Sequence, residues 1–276
     1  MKSKIIGKII GKIVNVIIFI VLFLLIYNYS KVLGVLVILC CFVFMAYLKR
    51  STIYSIMGNK QFAKGDIDKT SLFYRKALAV KNCKPRIRTS FGYLLLKSAR
   101  LKEAEEVLGV FENKKLLSQD KAQYKMTYAL LKWKSGNLQE AISILEEVYN
   151  TFKCTTVFES LGYLLILNGD FEKALEYNLE AYEYNDSNNV IVDNLGETYY
   201  YLKFYDKAYD LYEALLKRNP NFPEPYYYYG LVLAEKGKNE EAISILNKAL
   251  TFKESFLSNL THAKIENELD KITKQE

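Results

Sequence analysis

Two apolar runs open the chain, and an amphipathic pattern replaces them from about residue 50. Ile13 to Tyr29 reads IVNVIIFIVLFLLIYNY, and Val32 to Leu48 reads VLGVLVILCCFVFMAYL without a charged side chain. Each run has 17 residues; as a helix that is about 25 Å, at the short end for a hydrocarbon core of about 30 Å. Flanking residues extend both runs. The pattern predicts two membrane spans, 13–29 and 32–48, joined at Tyr29-Ser30-Lys31 into a helical hairpin. A hairpin dipping into one leaflet is the alternative. A cleaved signal peptide does not fit, because no A-x-A-like site follows the first run and a second run follows at once.

Beyond residue 50 the apolar positions recur at helical spacing, in pairs of helices. Gly58 and Gly92 lie 34 residues apart, as do Gly162, Gly196 and Gly230 in turn. Twelve positions after each stands a small residue: Thr70, Ala104, Ala174, Ala208 and Ala242; Ala129 and Ala141 make a sixth pair. Two antiparallel helices approach closely only where the facing positions lack bulk. Gly65, Gly136, Gly169 and Gly237 follow the first small residue by seven positions and mark the turn inside each pair. A fixed period of this length signals a stack of helical units, none of which buries its apolar face alone.

These positions resemble the tetratricopeptide repeat. Its run of Leu-Gly-x-x-Tyr, then Ala, an aromatic and Pro stands here as Leu195, Gly196, Tyr199, Ala208, Tyr212 and Pro220. After the N-terminal transmembrane hairpin (1–50) that the apolar runs predict, the resemblance implies an all-α chain: an α-solenoid of about six helix–turn–helix repeats (51–255) starting near 51, 85, 122, 155, 189 and 223, then a capping helix and tail (256–276). The third repeat departs from the pattern. Lys125 and Lys132 stand where the family prefers apolar residues, and its spacing from its neighbours is irregular. Asn178 replaces the usual aromatic of the fourth repeat.

Charge changes the picture of the N-terminus. Residues 1–50 carry Lys2, Lys4, Lys8, Lys12, Lys31, Lys49 and Arg50 and no acidic residue, which accounts for the whole net charge of +7. The rest of the chain is balanced, so a nucleic-acid partner is not expected. Basic residues stay on the cytoplasmic side of a membrane. The expected location is therefore the cell membrane, with two spans, both termini and the repeat array cytoplasmic, and Lys31 outside. Lys4, Lys8 and Lys12 form one stripe, suited either to a short helix at the headgroups or to a snorkelling extension of the first span. Richness in Lys, Ile, Asn and Tyr suggests a bacterial, AT-rich genome.

The candidate chemistry is sparse. The sequence holds one histidine, His262, and four cysteines without a C-x-x-C pair. It offers no phosphate loop and no nucleophile–base pair. No catalytic residue, metal or cofactor is expected, and no enzyme activity. The resemblance implies instead a groove lined by the first helices, binding an extended peptide or partner helix. Its candidate residues are Arg86, Tyr93, Lys97, Trp133, Tyr163, Asp193, Glu197, Tyr201, Tyr227 and Glu235, with Lys134, Glu159 and Glu224 beside them. The groove would be basic and aromatic toward the membrane end and acidic and aromatic toward the C-terminus. The expected function is a membrane-tethered interaction scaffold for a protein or peptide partner, held in the bilayer by residues 1–50. The alternatives are a peptide-responsive regulatory receptor, or a non-catalytic subunit of a membrane enzyme or cell-envelope complex.

Overall fold

The computed structural model describes residues 23–111 and 115–274. Its backbone groups into two compact units, Met1–Cys83 and Lys84–Glu276. Among the described residues there are helices and connecting turns, and no strand.

In the first unit, most of the first expected span and the whole lysine stripe lie outside the described residues. Residues 23–29 are helical, Ser30 adopts an extended conformation, and helix α1 follows over Lys31–Leu48. Ser30 caps it, its hydroxyl accepting from the Leu33 amide. A Cβ placed on Gly34 would lie 3.0 Å from the Cα of Tyr27. Seven residues of continuous helix would separate these positions by about 10 Å, so the chain reverses at Ser30. α1 is the one described helix long and apolar enough to cross a membrane, with a mean hydropathy of 2.5 and 6% of its length buried. Helices α2 (Arg50–Phe62) and α3 (Ile67–Leu78) then pack as a pair. Asp66 caps α3 through the Lys69 amide at 2.9 Å. The Tyr74 ring lies against Gly58, and its hydroxyl donates to Asn59 Oδ1 at 2.6 Å.

The second unit is an α-solenoid of helix pairs. Its helices are α4 (Pro85–Lys97), α5 (Leu101–Gly109), α6 (Ser118–Lys134), α7 (Leu138–Thr151), α8 (Thr155–Leu167), α9 (Phe171–Tyr184), α10 (Asn189–Tyr201), α11 (Tyr205–Leu216), α12 (Glu224–Glu235), α13 (Asn239–Ala249) and α14 (His262–Thr273). The facing small residues explain the close pairing: Ala104, Ala129, Ala141, Ala174, Ala208 and Ala242 are all fully buried. The turn inside each pair needs one residue in the left-handed region. Glycine supplies it at Gly136, Gly169 and Gly237, while Ala99 (φ 58°) and Lys203 (φ 60°) supply it in the second and fifth repeats.

The irregular third repeat keeps its register at Ala129 and Ala141, but α6 starts at Ser118, ahead of the expected start near 122. Its two out-of-pattern lysines are taken up by the second helix of the same repeat: Lys125 pairs with Glu147, and Lys132 with Glu140 at 3.0 Å. The tyrosine run 226–229 departs from expectation. Helical geometry puts about half of such a run in the core, yet all four side chains are buried. The C-terminal residues cover the remaining faces: Phe252 stacks on Tyr226 at 5.1 Å, and Lys264 of α14 lies 5.9 Å from the Tyr227 ring centroid. The amphipathic tail also differs from a single cap. Residues 253–261 are non-helical, and α14 begins at His262 with Thr261 as its cap.

Candidate partner-binding groove

The first helices of five successive pairs converge on one cavity of about 400 Å³. α4 contributes Tyr93 and Lys97, α6 contributes Trp133, and α8 contributes Glu159 and Tyr163. Asp193 comes from α10, and Glu224 from the start of α12. These helices border one space because successive first helices pack on one another. Trp133 and Tyr163 meet edge to face, with ring centroids 5.6 Å apart.

A stretch of the chain itself forms the other wall. Lys253, Ser255, Leu257 and Ser258 line the cavity. Lys134 donates to the Ser258 carbonyl at 3.1 Å and to Asn259 Oδ1 at 3.3 Å. The same ammonium lies 4.0 Å from the Trp133 ring centroid and 5.0 Å from that of Phe256. The Asn259 amide donates to the Tyr163 hydroxyl at 2.9 Å, and the Ser258 hydroxyl donates to Glu224. Leu257 packs against the core cluster built from α6 to α10. The Lys134 and Tyr163 contacts join residues 96 to 125 positions apart in sequence.

The electrostatics are those of buried acids. Burial, with the charges of Glu197 and Glu224 added, holds the Asp193 carboxyl well above the usual carboxylate range. Asp193 is 3% exposed, and its Oδ1 has no hydrogen-bonding partner among the described residues. Glu197 is buried behind it; burial raises its pKa to about 7 although Tyr228 donates to Oε1 at 2.5 Å. Burial also raises Glu159, which accepts from Asn188 at 2.8 Å. Burial pushes the Lys134 ammonium the other way, down.

Of the ten residues expected to line the groove, Tyr93, Lys97, Trp133, Tyr163 and Asp193 come together at the cavity. Arg86 is exposed at the start of α4, away from the lining residues. Glu197 and Tyr227 are buried. Tyr201 stacks on Phe171 at 4.7 Å and shares a 3.2 Å hydrogen bond with Tyr228. Glu235 is exposed near Tyr200 and Tyr205, whose phenols burial and then this carboxylate raise. Sequence reasoning missed residues 253–258. Residues 256–258 were expected at the start of the capping helix, and nothing in the local pattern marks them as a wall of the cavity. Among the described residues, no group of three His, Cys, Asp or Glu side chains could hold a metal ion.

Residues 126–189 and 194–255 match the family model described as tetratricopeptide repeat. A TPR repeat-containing protein of Methanocaldococcus jannaschii is 27% identical over 165 residues, which is 59% of this chain and 29% of that protein. The BBSome complex member BBS4 of Bos taurus is 31% identical over 118 residues, 42% of this chain and 22% of that protein. The chain thus spans less than a third of the length of these curated relatives. Among solved structures, the APC/C hetero-tetramer Cut9-Hcn1 aligns with a TM-score of 0.65 at 16% identity, covering 80% of this chain and 42% of that one. The pilF protein of Pseudomonas aeruginosa aligns at 0.60 and 14% identity, covering 82% and 97%. At these identities the likeness is one of fold. Tetratricopeptide repeat proteins generally mediate protein–protein interactions as scaffolds.

Proposed function

We propose that this chain, a solenoid carrying tetratricopeptide repeats, is a membrane-tethered scaffold that binds a partner peptide or helix in the groove of its first helices. One observation carries the reading. The groove already holds a non-helical piece of polypeptide, residues 253–259, through side chains of three different first helices: Lys134, Tyr163 and Glu224. A surface that grips backbone carbonyl, backbone amide and hydroxyl in this way is suited to hold a partner's extended segment. Tyr93, Trp133 and Tyr163 supply the large, rigid contact area that usually dominates binding energy.

The tether rests on α1. Its apolar side chains stand exposed, among them Phe42 (73%), Val32 (70%) and Val43 (69%). Apolar surface left in water costs about 25 cal/mol per Å², which a bilayer removes. With residues 13–29 as a second span and the lysines on the inner side, the groove faces the cytoplasm at the membrane surface. Confinement there raises its effective concentration toward membrane partners.

A photo-crosslinking residue placed at Tyr93, and separately at Lys173 on α9, tests this in native membranes. The reading expects a discrete adduct from position 93 and none from position 173. Adducts from 173 alone would move the working surface to the outer helices.

A further inference from the structure

The cavity lining is acidic where it is buried and basic only at its rim. Lys97 and Lys253 are exposed, whereas Asp193 is buried and Glu159 and Glu224 are partly so. Among the described residues, no lysine or arginine forms an ion pair with Glu159, Asp193 or Glu224. Two of the three are served by neutral donors, Glu159 by Asn188 and Glu224 by Ser258. The third, Asp193, lines the cavity, and its Oδ1, buried from solvent, has no hydrogen-bonding partner among the described residues. A buried acceptor without a donor costs free energy, more so for a group that can ionise. The rings of Tyr93, Trp133 and Tyr163 line the same cavity; ring faces attract cations, and Lys134 already lies over that of Trp133. A cavity of about 400 Å³ is toward the small end for ligand sites and has room for a long side chain.

We propose that this cavity receives the ammonium or guanidinium of a lysine or arginine on a partner polypeptide, with Asp193 as its counter-ion and the Trp133 and Tyr163 rings as walls. The inference rests on the groove being the partner-binding surface and names the partner's chemistry there. A cation fits better than a neutral donor for an electrostatic reason. The charges of Glu197 and Glu224 disfavour ionisation of Asp193, and only a positive charge relieves all three at once. A polypeptide fits better than a free amine because the groove beside the cavity grips peptide backbone, as residues 258 and 259 show.

Trp133 is the only tryptophan in the sequence and lines the cavity, so its emission reads occupancy directly. The full chain in detergent micelles would be titrated with acetyl-Ala-Arg-Ala-amide and acetyl-Ala-Lys-Ala-amide. The matched Gln and Glu peptides and methylguanidinium are the controls. At least one basic peptide should saturate the signal, with each control at least 10-fold weaker. Asp193→Asn should weaken the basic peptide at least 10-fold while the helical melt stays cooperative. If Asp193→Asn does not fold, Glu159→Gln, at a partly exposed position, should show the same direction of loss. A Gln peptide that binds as well as the basic ones overturns the proposal, as does a folded Asp193→Asn with undiminished affinity. Methylguanidinium binding as tightly as the peptides would make this a small-cation site and overturn the polypeptide assignment. If position 93 still crosslinks a partner equally in wild type and Asp193→Asn, this inference falls and the scaffold reading stands.

Discussion

Gly162 of α8 and Asn178 of α9 are fitted to each other: a Cβ on Gly162 would lie 2.0 Å from Oδ1 of Asn178. Asn178 is fully buried, and its amide donates to Thr198 Oγ1 at 3.0 Å. It stands where the family usually has an aromatic ring, and it uses the space to tie α9 to α10 by a polar contact. Gly162→Ala should therefore push Asn178 off that bond. Overpacking of this kind costs about 1–3 kcal/mol. Gly109→Ala is the contrast, since nothing lies within 4 Å of its added Cβ and it sits at a helix end. That change should be neutral or stabilising by up to about 1 kcal/mol. Thermal melts of the two variants should move apart; equal shifts would show that helix contact at Gly162 is not what sets its cost.

The turn position inside each pair makes a second, opposite prediction. Ala99 and Lys203 hold the left-handed conformation that glycine holds in the other repeats, and both are exposed. A side chain there costs about 1–2 kcal/mol that glycine avoids. Ala99→Gly and Lys203→Gly should raise the melting temperature, although glycine in a loop normally lowers it. Gly136→Ala (φ 90°) should lower it. The sign of the change at 203 is the check.

Much of this was legible because packing leaves a period in the sequence. The glycine and small-residue pairs at 34-residue spacing placed the helix pairs, and half of the ten residues expected on the first helices came together at the cavity. What was not legible depends on chain segments far apart. Nothing local to Tyr226–Tyr229 says that Phe252 and Lys264 will cover them. Nothing near Leu257 says that it will pack against helices more than sixty residues upstream. Glu197 reads as a groove residue from its repeat position, yet the tyrosines of α12 enclose it.

Glu197 gives a pH dependence. Its folded pKa is raised to about 7, so the folded chain holds a proton that the unfolded chain gives up above about 4.5. Stability from this group is full below about pH 4.5 and is lost as pH rises to about 7, on the order of 3 kcal/mol. Asp193, also raised, acts in the same direction. The titratable groups around Glu197 include Asp193 of its own helix, Tyr228 and Glu224 of α12 and Lys264 of α14. Glu197→Gln mimics the protonated form. It should melt above wild type at pH 8, and the gap should close toward pH 4.5. A gap independent of pH would mean that Glu197 does not titrate in this range.

The proposed orientation is testable through cysteine. Cys83 and Cys154 are half-buried thiols, one in each compact unit. With the array in the cytoplasm, a membrane-impermeant maleimide applied to intact cells should spare both. The variant Lys31→Cys, at the turn between the proposed spans, should be labelled from outside. Labelling of Cys83 or Cys154 without lysis, with position 31 protected, would invert the topology.

Lys134 is the clasp on the segment in the groove. It holds Ser258 and Asn259 by two hydrogen bonds and faces the rings of Trp133 and Phe256. A charged hydrogen bond contributes about 1.5–3 kcal/mol and a cation–ring contact about 0.5–2 kcal/mol. Lys134→Met keeps the aliphatic stem and removes both. The local opening of residues 253–260 should then become at least 10-fold more frequent, read as faster amide exchange at Asn259. Trp133, losing its cover, should emit further to the red. The global melt should move little, because α14 has its own anchors in the fully buried Ile265 and the buried Ile272. If exchange at Asn259 is unchanged in Lys134→Met, the apolar seat of Leu257 is what holds the segment. Leu257→Ser should then release it where Lys134→Met does not.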